Sequence, residues 1–167
     1  MLRIYIANLG KYNEGELVGK WVELPCENLA EVLKEIEVVD GTRYEEYAIH
    51  DYESDIDGLQ IGEYDNIFAL NEIAEKLNEL SDYDKKWLEA YFEASGEDLL
   101  TALEQFEDDS TFYQDMTLED LAEELVLDGC FGDIPDSIVN YIDYAAIARD
   151  LSFDSYYETK QGVIYLS

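Results

Sequence analysis

The chain's one histidine lies in YEEYAIHDYESDIDG, residues 44–58, next to an aspartate and just ahead of acids at alternate positions. Two chemistries suit such residues: acid/base work by His50 with Asp51, and cation binding by Glu53, Asp55 and Asp57. A calcium loop is tested by its spacing. With Gly58 at the sixth position, Glu53, Asp55 and Asp57 take the first, third and fifth, but Gln60 holds the eighth and Tyr64 the twelfth, where a bidentate glutamate is needed. Glu63 falls one residue early. The stretch therefore predicts weak, nonspecific divalent binding, with neither a metal site nor a cofactor. Adjacent residues on a strand point to opposite faces, so His50 and Asp51 are not expected to meet.

Nothing else in the sequence points to catalysis. No second histidine completes a metal triad, and G-x-S-x-G, P-loop and dinucleotide-binding patterns are absent. Among 41 acids a carboxylate pair of the glycosidase type can be drawn anywhere, so no single pair is informative. The chain reads as a non-enzyme.

The elements that must position these residues can be read from periodicity. Leu2–Asn8 and Leu17–Leu24 have the β-branched and aromatic content of two strands, joined by the hairpin turn KYNEGE. Asn28 starts a helix with Leu29, Val32, Leu33 and Ile36 on one face, and Tyr44–Tyr52 reads as a third strand, with Tyr47 and Ile49 opposite Glu46, Ala48 and His50. Asp65 or Asn66 begins a second helix, and Ser81 with Asp84 forms a capping box for a third that ends at Gly96. A short helix covers Glu97–Phe106, and the acidic stretch EDDSTFYQD reads as a connector. Thr117 with Asp120 caps the next helix, which Gly129 closes. Pro135 opens a helix reaching Leu151, and the tail forms two short strands around Gln161 and Gly162.

The expected fold is α+β in three small subdomains of an elongated chain: an N-terminal α/β unit with antiparallel strands (1–61), a central helical bundle (62–106) and a C-terminal α+β unit (107–167).

Length and a 47% hydrophobic content permit a real core, whereas the formal net charge of −31, from 41 acids and 10 bases, opposes compaction. Binding to nucleic acid or to an anionic membrane is disfavoured, since both require a positive face. Basic proteins and cations are the natural partners. Two cysteines without C-x-x-C spacing read as reduced structural thiols, and no apolar run suits a signal peptide or a span, so a soluble cytoplasmic protein is expected.

An ordinary soluble helix interleaves lysine with glutamate, yet no lysine or arginine occurs between Lys86 and Arg149. B-form DNA is a physical template for such a surface: at one charge per ~1.7 Å of axis, −31 matches about 15 base pairs of duplex. The imitation phosphates expected in the first half are Asp51, Glu53, Asp55, Asp57 and Glu63, then Glu72, Glu75 and Glu79 on one helix face. Asp82, Asp84, Glu89, Glu93, Glu97, Asp98 and Glu104 follow on the next two helices. Glu107, Asp108, Asp109 and Asp115 belong to the connector, and Glu119, Asp120, Glu123 and Glu124 to the helix after it. Crowding should raise the pKa of some of these carboxyls, with local hydrogen bonds reversing the shift at individual acids.

Three long segments, IYIANLGKYNEGELVGKWVEL (Ile4 to Leu24), YAIHDYE (Tyr47 to Glu53) and FGDIPDSIVNYIDYAAIARDL (Phe131 to Leu151), resemble the ArdA family of antirestriction proteins, in order and over nearly the whole chain. The resemblance implies a DNA-mimicking inhibitor of type I restriction-modification enzymes, carried on conjugative plasmids or transposons. It also implies an elongated homodimer whose contact lies in the C-terminal subdomain. The family's antirestriction signature falls on Leu121 to Leu125 and Phe131 to Tyr141, where apolar residues exceed local need. Val126, Leu127, Phe131 and Ile134 are the candidates for the dimer contact. An acidic module that sequesters another basic DNA-binding protein is the alternative.

Overall fold

Leu2, Ile4 and Ile6 alternate along β1 (Leu2–Asn8) and all reach one buried face, which makes this strand the centre of a sheet. In the computed structural model, which describes residues 1–167, β2 (Gly19–Leu24) and β3 (Tyr47–Ser54) flank it antiparallel in the order β2-β1-β3. The link between β1 and β2 is not the simple hairpin turn that KYNEGE suggests. It contains a short helix, α1 (Leu9–Asn13), because the Asn8 side chain accepts a hydrogen bond from the Lys11 N–H at 3.0 Å and caps it.

The third strand starts at Tyr47, later than the expected Tyr44. The Tyr44 carbonyl instead accepts from the Val39 N–H at 2.9 Å and so closes the preceding turn. Its alternation also fails in the middle. Tyr5 lies opposite Asp51 and Ile6 opposite Ile49, leaving His50 as an extra residue in the ladder. Such a bulge turns side chains out of strict alternation, and Ala48 and Ile49 are consequently both buried.

Two helices complete this part of the chain. α2 (Leu29–Glu35) buries Leu29 and Val32, with Ile36 just beyond it. α3 (Ile67–Glu79) is capped by the Asn66 side chain and buries Ile67, Leu70, Ile73, Ala74 and Leu77 along one stripe. The side-chain oxygen of Asn71 on α3 accepts from the Cys26 N–H at 2.7 Å, which ties the helix to the segment that follows β2.

Residues 1–80 form one compact unit and residues 81–167 another. The boundary falls inside the 62–106 segment, so α3 groups with the first sheet while the next two helices group with the second.

In the second unit, α4 (Asp82–Ser95) begins at the Ser81/Asp84 capping box and ends at Gly96, which has the left-handed conformation. α5 (Leu99–Gln105) follows. The stretch expected to be a connector then contains a strand, β4 (Ser110–Gln114), in which Ser110 and Phe112 face inward. α6 (Leu118–Leu127) starts at the Thr117/Asp120 capping box. The single helix expected from Pro135 to Leu151 is two: α7 (Asp136–Val139), with Pro135 at its cap, and α8 (Tyr144–Leu151). The break occurs because the Asp143 side chain accepts from the Ala146 N–H at 3.0 Å, starting a new helix there.

The tail forms β5 (Tyr156–Thr159) and β6 (Gly162–Leu166), and the sheet order is β4-β6-β5, antiparallel throughout. Val163 and Ile164 on the central strand are fully buried, α4 packs on this sheet, and α6 pairs with α8 around Ala122, Ala148 and Leu151. The class is thus α+β, with eight helices and two small antiparallel sheets.

Candidate functional site

The carboxylates are kept out of both cores. Of the 41 acids, Asp84 and Glu89 are half-buried and the others are exposed, as the cost of desolvating an unpaired charge demands. On α3, Glu72, Glu75 and Glu79 project opposite the buried stripe, and on α6 Glu119, Asp120, Glu123 and Glu124 stand away from buried Leu121, Ala122 and Val126. Glu97 and Glu104 flank or lie on α5, and Asp82 opens α4. Glu107, Asp108 and Asp109 precede β4 and Asp115 follows it, so the acids expected on a connector edge a strand instead. Asp57 and Glu63 are exposed on the segment between β3 and α3.

Several of these acids have local structural roles as well. Asp98 caps α5, accepting from the Leu100 and Thr101 N–H groups, each at 3.1 Å, and from the Thr101 hydroxyl at 2.7 Å. The hydroxyl of Thr101 and then its N–H hold the Asp98 carboxyl below the ordinary carboxylate range. The Thr117 hydroxyl, 2.7 Å away, with the Thr117 N–H does the same for Asp120. Glu89 accepts from the Gln161 amide at 2.5 Å, and Glu93 from the Lys160 N–H at 3.4 Å. The sequence supplied Asp120 with its partner, as a capping box, but marked Asp98, Glu89 and Glu93 only as charge, and their partners depend on the folded chain.

Basic side chains are drawn into pairs. Lys20 meets Glu35 at 2.6 Å, Arg43 meets Glu14 at 3.2 Å, Lys86 meets Asp115 at 3.6 Å, and Lys11 pairs with Glu37. Exposed pairs of this kind add little stability, but each removes a cation from competition for the remaining acids.

The residues of the suspected cation loop do not converge. Glu53 binds Arg3 at 2.8 Å and Asp55 pairs with the Met1 amine; no group of three or more His, Cys, Asp or Glu side chains is arranged to hold a metal. His50 and Asp51 correct the expectation of opposite faces, since the bulge brings both to one cleft. They still form no proton-transfer pair: Asp51 accepts from the Tyr52 N–H at 2.9 Å, and His50 Nε2 has no hydrogen-bond partner.

Of the four apolar candidates for a subunit contact, Val126 is buried and belongs to the core, Ile134 is half-buried, and Leu127 and Phe131 are exposed. Sequence reasoning missed Ile138, Tyr141 and Phe153, which are exposed in the same part of the chain. A continuous helix through this region hid Ile138 and Tyr141; the Asp143 cap was the signal that the helix divides. Cys26 is half-buried, whereas Cys130 is exposed and so is no packing thiol; both are free.

No helix is long and apolar enough to cross a membrane. A family model described as "Antirestriction protein (ArdA)" matches residues 4–165, nearly the full chain. No curated protein matches.

Proposed function

Because the chain belongs to the ArdA family of antirestriction proteins, we propose that it is a DNA mimic that occupies the DNA-binding groove of type I restriction-modification enzymes and inhibits them competitively, without catalysing a reaction. The observation that carries this reading is the placement of charge. A net of −31 is displayed almost entirely on exposed carboxylates, while Arg3, Lys11, Lys20, Arg43, Lys86 and Arg149 are tied up in local pairs. A groove built for phosphates gains from such a ligand what it gains from duplex, namely release of its own counterions.

A homodimer is part of the proposal. It would carry twice the charge, equivalent to about 30 base pairs, and would cover the apolar groups around Leu127 and Phe131. Residence in the cytoplasm completes the reading.

The test is competition. Purified protein should displace a labelled duplex from a type I methyltransferase, with affinity falling at least about tenfold between low and physiological salt. Binding that is indifferent to salt would count against mimicry. Failure to bind that enzyme, with equal capture of unrelated DNA-binding proteins, would favour sequestration of another basic partner.

A further inference from the structure

Asp40, Asp57 and Asp128 each stand directly before a glycine. Such a pair has a chemistry of its own. The glycine nitrogen can attack the side-chain carbonyl carbon of the aspartate and close a five-membered ring, because no Cβ on the glycine hinders the approach or restricts the backbone. A fold that binds the glycine N–H in a hydrogen bond holds the nitrogen back, and one that leaves it loose does not.

The three pairs differ in this respect. Gly129 is tied down at the end of α6: its N–H donates to the Val126 carbonyl at 3.1 Å, between bonds from the Asp128 N–H to the Glu124 carbonyl at 2.8 Å and from the Cys130 N–H to the Leu125 carbonyl at 2.9 Å. The Gly41 N–H donates to the Glu45 carboxylate at 3.2 Å, within a turn that the Thr42 hydroxyl closes on the Val39 carbonyl at 2.7 Å. The Gly58 N–H has no acceptor. Its φ is 81°, and the only bond across the pair is a long one, from the Leu59 N–H to the Ile56 carbonyl at 3.4 Å. Asp57 and Gly58 are both exposed, and no residue between Ile49 and Ile67 is buried, so local opening of this turn costs little.

We propose that Asp57–Gly58 is a site of spontaneous covalent modification. The Gly58 nitrogen bonds to Cγ of the protonated Asp57 carboxyl, whose hydroxyl leaves as water with the amide proton, giving a succinimide. Water then opens the ring. Attack at one carbonyl restores aspartate; attack at the other gives isoaspartate, in which the main chain runs through Cγ and the former main-chain carbonyl is a free carboxylate. Composition and charge are unchanged, but the backbone gains a methylene just ahead of Leu59, whose carbonyl accepts from the Tyr52 hydroxyl at 3.2 Å. The new carboxylate belongs to the substrate class that S-adenosylmethionine-dependent isoaspartyl methyltransferases esterify. The site is independent of the DNA-mimic reading and stands even if competition against duplex fails.

The test is ageing of the full chain at body temperature in mildly acidic oxygen-18 water, followed by digestion in ordinary water and peptide mass spectrometry. Each ring opening leaves one heavy oxygen, so turnover is counted whichever product forms. Uptake and isoaspartate should appear at Asp57 severalfold ahead of Asp40 and Asp128. In urea the three pairs should age at similar rates, since only flanking residues then distinguish them. Asp57→Glu keeps the charge but would need a larger ring, and should remove the signal from that position. No uptake at Asp57, uptake shared evenly among the pairs of the folded chain, a preference that persists in urea, or a signal that survives Asp57→Glu would each overturn the assignment.

Discussion

Asn8 joins three pieces of the first unit through one amide group. Its oxygen caps α1, and its nitrogen donates to the carbonyls of Ile36 at 3.1 Å and Glu37 at 2.9 Å, beyond the end of α2. Asn8→Ala strips three buried or half-buried groups of their partner, and at about 1 kcal/mol for each hydrogen bond it should cost about 3 kcal/mol. Denaturant unfolding gives the figure, and a loss below about 1 kcal/mol would show that water replaces the amide. Gly162 is a second such point. Its φ is 141°, and a Cβ there would lie 2.2 Å from the Tyr113 carbonyl on the neighbouring strand, so Gly162→Ala should lower stability by about 2 kcal/mol or more in thermal melts. Neither role was legible beforehand. Asn8 reads as the end of a strand, and its carbonyl partners lie 28 and 29 residues away, where local pattern has no reach.

Helix starts were the most legible elements, because a cap is written within four residues. Ser81 with Asp84 and Thr117 with Asp120 were recognisable as capping boxes, and both close in the fold. Ser81→Ala should cost about 1 kcal/mol, measured by chemical denaturation at neutral pH. Acid titration probes the other box. The folded Asp120 carboxyl is held down, chiefly by the Thr117 hydroxyl, so the stabilisation it gives is complete above the ordinary carboxylate value of about 4 and disappears as pH falls through its lower folded value. The stability gap between the wild type and Thr117→Ala should therefore narrow in strong acid; a gap that is constant with pH would contradict this. At Asp98 and Asp120, hydrogen bonds outweigh the upward push of desolvation. Strand β4 was missed for the opposite reason. Its segment is short and flanked by acids, and it becomes a strand only by pairing with β6, about fifty residues later. The bulge in β3 was equally invisible, since a one-residue mismatch is a property of two strands together.

At the scale of the whole molecule, repulsion among carboxylates is spread thin. Two charges ~7 Å apart in water cost only about 0.6 kcal/mol, and salt with a screening length of ~8 Å reduces that further. Added salt should raise the melting temperature of the free protein while weakening its hold on a restriction enzyme, and a fall in both would show that exposed ion pairs outweigh the repulsion. Assembly has its own test. If the apolar groups around Phe131 are covered by a second copy, Phe131→Asp should shift sedimentation from dimer towards monomer; an unchanged dimer would place the contact elsewhere. Charge, family membership, the capped helices and two of the first three strands were within reach of the sequence, because each rests on composition or on residues a few positions apart. Tertiary structure alone decided that Val126 is core while Leu127 is surface, that one expected helix is two, that α3 groups with the first sheet, and that His50 and Asp51 share a cleft. Each of these depends on which distant segments pack or pair together, and the free energy of burial that settles it is not carried by any one stretch of chain.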